Sequence, residues 1–388
     1  MVDGRYDFGL TERDEARALR LHRESLVIDM LFWGPVGPDS YPDELVAGLQ
    51  ASYDRHRDLD VAWMEAYRAP GRLAARGGLP AYRDLWDATG VTCGHTAIEI
   101  ADASWVLECA AYLGALLPAH PWLRLARTTD DIRAAHAAGE HAIFLQCQPD
   151  IPLSRDLGLI DLAYDVGLRM LQLTYNIQDF VGTGCTDRTG AGLSNFGLEV
   201  VRRCNELGVV VDVAHCSAQT ALDACAASEV PIVASHTAAK ALRDHDRAMT
   251  DGELEAIAAT GGVVGIVTVP EFLSADGVPG GPGATIDAML DHVEHAVKVV
   301  GVEHVGIGTD WPMCAPEWTL DVVMRQWVLE HGFTEEHDLG LTSTLDGFGD
   351  YRDMPNITRG LVARGYTDDD IRAVLGGNVL RVFDAVWH

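Results

Sequence analysis

Three polar residues each close an apolar run that is typical of a buried β-strand. His215 ends the run VVVDVAH, His236 ends PIVASH and Asp310 ends HVGIGTD. Two neutral imidazoles suit a transition metal, and a carboxylate beside them suits proton transfer or metal ligation. The alternative is that all three are structural polar groups at strand ends. Random placement would not give this pattern, so we predict a metal or catalytic site.

The elements that must position these residues form a regular series of β-rich runs with helical periodicity between them. Most of the runs are nearly continuous apolar stretches, as expected of parallel strands that are buried on both faces. The eight predicted strands cover residues 26–29, 90–98, 141–148, 168–176, 209–215, 231–236, 261–269 and 304–310.

Helix signals fall between these strands. Ser194 is placed to cap a helix whose apolar face includes Val200 and Cys204. Thr250 and Glu253 form a T-x-x-E capping box at the start of another helix. Gly208 follows a predicted helix at a position where glycine is favoured. Strands and helices therefore alternate along the chain.

Eight strand–helix units favour a closed α/β barrel, the (β/α)8 or TIM barrel, over an open sheet. We predict one domain over residues 1–388, with a helical extension at about 1–25 and long loops at about 270–284 and 311–350. Active sites in this fold collect at the carboxyl ends of the strands. The polar residues predicted there are Asp29, His95, Gln146, Tyr175, His215, His236 and Asp310.

The amino-acid composition limits the classes of molecule that the protein is expected to bind. The net charge is −29 and no Lys/Arg cluster is present, which argues against nucleic acid. The predicted partner is a small-molecule substrate at the carboxyl end of the barrel. No run of eighteen apolar residues exists, and the charged N-terminus lacks a signal-peptide pattern, so no membrane association is predicted. The eight cysteines are scattered, which favours reduced thiols and a cytoplasmic location. The sequence leaves open whether the chain forms a homo-oligomer.

Longer motifs around the same residues resemble the membrane (renal-type) dipeptidase family of zinc hydrolases. They are DVAHCS, ASHTAAKALRDHDRAMTDGELEAIAATGGVVGI, HVGIGTD and the ending ITRGLVARGYTDDDIRAVLGGNVLRVF. The resemblance runs from about residue 25 to the end. It implies a barrel of the metal-dependent amidohydrolase type and the hydrolysis of dipeptides, including ones with a D-residue or dehydro-residue on the C-terminal side.

The resemblance also implies roles for individual residues. His215 and His236 match the two histidines that bind one of the family's two zinc ions. Asp310 matches the aspartate that moves protons on and off the attacking water and the leaving amine. Arg247 matches the arginine that grips the substrate carboxylate, a task suited to the forked guanidinium.

Four other positions depart from the family pattern. Leu31 and Trp33 stand where a His-x-Asp pair would hold the other zinc, Gln146 replaces the bridging glutamate, and Tyr175 replaces the histidine of the fourth strand. Two divalent ions about 3.5 Å apart repel by roughly 19 kcal/mol at an effective dielectric near 20. Without the bridging carboxylate, a two-metal site is not expected to form.

We therefore predict at most one divalent metal ion, with zinc favoured and a metal-free site left open. His215 and His236 are the predicted metal ligands, Asp310 and Tyr175 the predicted catalytic residues. Arg247, Trp33 and Gln146 are predicted to contact the substrate, and the Gln146 carbonyl oxygen or Asp310 could add a ligand. His95 is interpreted as a structural histidine or an extra site residue.

The favoured function is a dipeptidase-like hydrolase acting on the C–N bond of a small carboxylate-bearing amide or amino-acid derivative. One alternative is a lyase, cyclase or decarboxylase in which Tyr175 and Asp310 do the acid–base work. Another is an inactive binding protein that keeps Arg247 for ligand capture. The presence of His215, His236 and Asp310 argues against the interpretation that the site has simply lost its catalytic function.

Overall fold

The computed structural model describes residues 6–149, 151–279, 281–313 and 315–388. Within these ranges the chain alternates strands with helices, and every strand pairing of the main sheet is parallel. The strands are β1 Ile28–Asp29, β2 Cys93–Ala97, β3 Leu123–Leu125, β4 His141–Cys147, β5 Leu168–Gln172, β6 Val210–Asp212, β7 Val233–Ala239, β8 Ala248–Met249, β9 Val263–Ile266 and β10 Val305–Ile307.

Eight of these described strands close into a barrel. Their order around it is β1, β2, β4, β5, β6, β7, β9 and β10, and β10 pairs back onto β1. Each overlaps one of the eight predicted runs, and β7 continues three residues beyond its run, to Ala239; the predicted (β/α)8 barrel is confirmed. The short strands β3 and β8 were not predicted; they add to the outer sides of β4 and β7.

The helices pack around and over this barrel. They are α1 Glu12–Glu24, α2 Asp43–His56, α3 Leu59–Ala75, α4 Tyr82–Thr89, α5 Ala103–Ala119, α6 Thr129–Ala138, α7 Gly158–Val166, α8 Asn195–Leu207, α9 Ala218–Ala227, α10 Asp251–Ala259, α11 Pro270–Leu273, α12 Ile286–Val300, α13 Arg325–Glu330, α14 Met354–Ala363, α15 Asp368–Arg372 and α16 Asn378–Val386.

The predicted helix caps are confirmed. Ser194 caps α8 by accepting a hydrogen bond from the Gly197 backbone N–H. Thr250 and Glu253 form the capping box of α10, in which each side chain bonds the other residue's backbone. Gly208 ends α8 with a φ of 75°, a left-handed conformation that glycine adopts without steric cost.

An apolar cluster closes the amino end of the barrel. The first residues of several strands, including Val210, Val233 and Val263, pack with Phe383 and Trp387 at the C-terminus of the chain. The Phe383 and Trp387 rings stack with centroids 4.1 Å apart. Because this end is filled by side chains, the opposite end, where the strands finish, is the one that can hold a site.

The predicted N-terminal extension contains α1, and residues 1–5 lie outside the described part. Helix α1 packs against α14, where Arg359 Nε donates to Glu15 Oε2 at 2.8 Å and His22 contacts Thr358 at 2.8 Å. The predicted loop at 270–284 begins with α11, and its residue Gly280 is outside the described part.

The prediction of a long loop at 311–350 was wrong for its middle part. Residues Thr319–Met324 form a π-helical turn that continues into α13. Leu320, Val323, Met324, Trp327 and Val328 are all buried and recur at helical spacing. Their apolar face packs over the barrel mouth, which is why the segment is helical. Cys314, in the same predicted loop, lies outside the described residues.

A second covering segment follows β1 and carries α2, α3 and α4. Trp63 and Tyr67 of α3 both contact the Trp33 ring, with centroids 5.4 Å from it. Contacts between α3 and the π-helical turn join this segment to the one after β10. The carboxyl end of the barrel is therefore roofed by apolar side chains from two long connections.

Candidate active site

The rings of His215 and His236 meet at the carboxyl end of the barrel. His215 follows β6, and His236 lies within β7. Their Nε2 atoms are 2.9 Å apart, and both side chains are buried. The prediction that these two histidines come together is thus confirmed by the geometry.

Hydrogen bonding fixes the tautomer of His215. Asn176 Nδ2 donates to the His331 carbonyl oxygen at 2.9 Å, so its Oδ1 faces the imidazole. His215 Nδ1 lies 2.7 Å from that oxygen and must carry the proton. The Nε2 atom of the neutral ring then carries no proton and presents a lone pair.

A second series of hydrogen bonds fixes the tautomer of His236. Asp212 accepts the Ser235 hydroxyl proton, which leaves the Ser235 oxygen to accept from His236 Nδ1 at 2.7 Å. The Asp212 carboxylate also accepts from the Ala214 and Ser235 backbone N–H groups. His236 therefore also presents an Nε2 lone pair.

Two lone pairs that face each other at 2.9 Å repel unless a cation lies between or beside them. Burial lowers the pKa of both imidazoles well below the usual range, and the positive charge of Arg247 lowers it further. Both rings are therefore neutral at neutral pH, the form that binds a metal. The outer hydrogen bonds are of the kind that orients histidine ligands.

Left-handed backbone occurs at three residues of this site. The φ angles are 60° for His215, 59° for Asp310 and 53° for Asn176. Such angles cost non-glycine residues roughly 1–2 kcal/mol each, although Asn, Asp and His tolerate them best. Strain of this kind concentrates at functional sites, where the surrounding structure holds it in place.

Asp310 is held beside the histidines by the first strand. The Leu31 carbonyl oxygen accepts the Asp310 N–H at 2.9 Å. Asp29 anchors the neighbouring Thr309 through bonds of 3.0 and 2.6 Å to its backbone N–H and hydroxyl group. Burial raises the Asp310 pKa to about 6, opposed by Arg247 and by the Trp33 indole. Its carboxylate can therefore exchange protons near neutral pH.

A cavity lies over His215 and Asp310, and its walls are mostly apolar. Trp33 and Tyr175 both line it, as predicted for residues that fill the space of missing ligands. The Tyr175 ring stacks on His215 at 4.1 Å, and Trp33 Nε1 donates to the Asp310 carbonyl oxygen at 2.7 Å. We call this space the apolar cavity.

Arg247 lines a different space on the other side of His215. This polar cleft also includes Cys185, Ser217 and Lys240 and has a volume of about 170 Å³. Pairing of β8 with β7 fixes the backbone beside Arg247, whose Nη2 donates to the His236 carbonyl oxygen at 3.2 Å. Its buried Nε has no hydrogen-bond partner among the described residues, while the guanidinium also bonds the Cys185 side chain.

Gln146 lies inside the barrel, and not on the wall of the apolar cavity as a substrate contact would require. Its Nε2 donates to Asp212 Oδ2 at 3.1 Å, which directs the side chain toward the His236 support. Its Oε1 is buried without a hydrogen-bond partner among the described residues. Gln148, two residues later in the chain, lines the cavity instead.

Leu31 and His95 both serve the framework of the site. Leu31 is fully buried in the core, in keeping with the loss of a ligand there. His95 Nδ1 accepts the Phe32 backbone N–H at 2.6 Å, and its ring packs edge-on to Trp33. Burial lowers the His95 pKa to about 3, so the ring is neutral. These contacts favour the structural interpretation of His95.

Sequence reasoning missed the residues that support the histidines. Asp212 and Ser235 lie inside the quoted motifs DVAHCS and ASHT, and Asn176 follows Tyr175 directly. Their roles depend on contacts across three strands, which the motif letters do not show. The one available signal was the set of small polar residues within three positions of each predicted site residue.

The donor set fits one metal ion and does not fit two. No group of three or more His, Cys, Asp and Glu side chains in the described part of the chain is arranged to hold a metal. His215 and His236 would supply two nitrogen ligands, since their Nε2 atoms lie 2.9 Å apart. The predicted option of Asp310 as a third ligand is not supported, because it forms no such group with the two histidines, and a further protein ligand would be of another type, such as the unpartnered Gln146 carbonyl oxygen.

The structure is a closed parallel barrel with two buried histidines and with an aspartate after its last strand. This combination is typical of the metal-dependent hydrolase class of (β/α)8 barrels. The family model of membrane dipeptidases (Peptidase family M19) matches residues 91–337 and 330–388. The chain belongs to the membrane dipeptidase family.

Individual relatives agree with this family. The chain is 30% identical over 259 residues to an uncharacterized dipeptidase of Schizosaccharomyces pombe, covering 66% of this chain and 55% of that protein. It is 27% identical over 267 residues to a dipeptidase of Clonostachys rogersoniana, covering 68% and 60%. The matched part is thus under two thirds of either relative. An amidohydrolase structure from Pseudomonas aeruginosa superposes with a TM-score of 0.69 and 25% identity, covering 95% and 99%.

Two further features bear on the sequence predictions. Among the helices of the described residues, none combines the length and apolar character needed to cross a bilayer. The cysteines that the structure describes are all free thiols, including Cys147 and Cys216 near the site.

The support of His215 by Asn176 can be tested by metal binding. Asn176→Gly removes the Oδ1 acceptor without adding backbone strain, because glycine tolerates the left-handed angle. We expect zinc affinity to fall by about 10–100-fold, the usual effect of losing an outer hydrogen bond to a histidine ligand. Competition with a chelating dye measures this. The exposed Asn195→Gly is the control, and equal affinity in both variants would contradict the role of Asn176.

Proposed function

We propose that this protein is a hydrolase that uses one divalent metal ion, with zinc favoured, to cleave the C–N bond of a small carboxylate-bearing amide or amino-acid derivative. The observation that carries the proposal is the pair of converging Nε2 lone pairs of His215 and His236, with Asp310 beside them on a membrane dipeptidase barrel. Both histidines would hold the ion.

A bound ion would supply Lewis acidity for attack on the scissile carbonyl group. The protein residues supply the rest. Asp310, in its carboxylate form, accepts a proton from the attacking water and passes it to the leaving amine. Its raised pKa makes the carboxylate a stronger base than an ordinary aspartate, which favours the first of these transfers.

Two other residues shape the reaction in this proposal. Arg247 holds the substrate carboxylate through its guanidinium, whose Nε has no hydrogen-bond partner among the described residues. Tyr175 lies on the face of His215, where its hydroxyl group is a candidate proton donor to the developing oxyanion. The apolar side chains over the barrel mouth lower the local dielectric, which strengthens charge interactions at the site.

The test is a steady-state assay that compares dipeptides with N-acyl amino acids, with Zn²⁺ or Mn²⁺ added. We expect metal-dependent release of the amine from some of these compounds and poor turnover of ordinary L,L-dipeptides, because the residues that hold a second metal are missing. Turnover of an L,L-dipeptide on the order of hundreds per second, above the typical enzyme median, would contradict this account. The absence of hydrolysis across the panel would refute the hydrolase itself.

A further inference from the structure

The two spaces beside His215 differ sharply in chemistry. The apolar cavity is lined by Trp, Phe, Val, Leu and Met side chains together with a few polar groups. The polar cleft is lined by charged residues of both signs: Arg247, Lys240, Asp187, Asp246 and Glu253. His215 is a wall of both. A substrate that reacts beside His215 therefore has one end in each space.

Three of the four tryptophans that line the apolar cavity have their indole N–H groups engaged within the protein. Trp33 Nε1 donates to Asp310, Trp311 Nε1 to the Ser343 carbonyl oxygen, and Trp327 Nε1 to Asp60 Oδ1. These indoles therefore offer ring surface, and not hydrogen-bond donors, to whatever enters. Among the described lining residues, Asp310 is the one carboxylate.

The carboxylates of the polar cleft are engaged by the protein: Glu253 in the α10 capping box, Asp187 by backbone N–H groups and Asp246 by His337. Arg247 is therefore the group that assigns the two ends of the substrate. Arg247 presents a buried, unpartnered donor in the polar cleft, which suits the carboxylate on the amine side of a scissile amide. The opposite side of that amide, its acyl part, must then extend into the apolar cavity. Burying a charged or strongly polar acyl group there without partners would be costly.

We infer that the apolar cavity is the acyl-side specificity pocket and selects substrates whose acyl part carries a bulky apolar, preferably aromatic, group. This inference rests on the proposed function, since it takes the scissile amide to lie at His215. The free volume of the cavity is only about 30 Å³, so side chains of the roof must move to admit such a group.

The experiment measures binding by calorimetry to the zinc-supplemented protein, so that it does not depend on turnover. The probes share one carboxylate and differ in the acyl group: N-acetylglycine, N-(phenylacetyl)glycine and N-succinylglycine. We expect the phenylacetyl compound to bind about 10–100-fold more tightly than the acetyl compound, because it buries an aromatic ring. The succinyl compound should bind no better than the acetyl one.

N-Acetylphenylalanine tests the orientation, because its aromatic group lies on the amine side. It should bind more weakly than N-(phenylacetyl)glycine. Equal binding of the acetyl and phenylacetyl compounds, or preference for N-acetylphenylalanine, would overturn the inference. Selective binding with no hydrolysis of any amide would refute the proposed function and leave the pocket assignment standing.

Two neighbouring residues of α13 give a matched pair of variants. Val328 lines the cavity and is buried, whereas Leu329 is 52% exposed. Val328→Asp should lower the affinity for N-(phenylacetyl)glycine by about tenfold or more and change that for N-acetylglycine little, and Leu329→Asp should change neither. Val328→Thr, which keeps the shape of valine, should show a smaller loss in the same direction if Val328→Asp fails to fold. Equal effects on both probes would contradict the assignment.

Discussion

Asp310→Asn is expected to lower kcat by about 10²–10⁴-fold, the usual contribution of a general acid–base group. The carboxylate follows the last barrel strand, lines the apolar cavity beside His215 and has a pKa raised to about 6 by burial. An amide of the same shape keeps the position but cannot accept a proton. The measurement is steady-state kinetics with a substrate found in the hydrolysis assay.

Asp338→Asn provides a control with the same backbone conformation. Asp338 has a φ of 51°, close to that of Asp310, but it is exposed and lines neither cavity. Its replacement should leave kcat unchanged. If Asp310→Asn folds and keeps full kcat, the catalytic assignment of Asp310 is wrong.

Arg247→Ala should mainly raise KM, by roughly 10–150-fold, which corresponds to about 1.5–3 kcal/mol for a hydrogen bond to a charged group. Arg247 is 2% exposed, lines the polar cleft and has an unpartnered Nε within the described residues. It acts on binding, so kcat should change much less than for Asp310→Asn. Both constants come from the same kinetic assay.

Two further variants sharpen the Arg247 test. Arg247→Lys keeps the charge and loses the fork, so its KM should fall between those of the wild type and Arg247→Ala. Arg243→Ala removes a half-buried guanidinium four residues earlier that lines neither cavity, and should leave KM unchanged. An unchanged KM in Arg247→Ala would mean that the substrate carries no carboxylate at this position.

Much of the fold was predictable because buried parallel strands leave a strong apolar signal. All eight barrel strands were found, and so were the caps at Ser194 and Thr250, which depend on residues only three positions apart. The helix at Arg325–Glu330 was missed although its apolar spacing is visible in WTLDVVMRQWVLEHG. The two-residue strand β8 carries too few residues for any periodic signal.

The site was predictable to the extent that strand ends converge in a barrel. The contact of His215 with His236 follows from that rule, and so does the presence of Trp33 and Tyr175 in one cavity. The separation of Arg247 from the apolar cavity does not, because it depends on how β8 adds to β7. The bonds through Asn176, Ser235 and Asp212 depend on side-chain contacts between neighbouring strands, which spacing along one strand does not encode.

The central claim is that His215 and His236 hold a single metal ion. Elemental analysis of protein purified without chelator, saturated with zinc and dialysed, tests it most directly. We predict about one zinc ion per chain, which should be lost when His215 or His236 is replaced by alanine. The control is His304→Ala, which should retain the zinc, because the imidazole of His304 bonds the Gly262 carbonyl oxygen and contacts neither of the two histidines. About two zinc ions per chain, or none, would contradict the account.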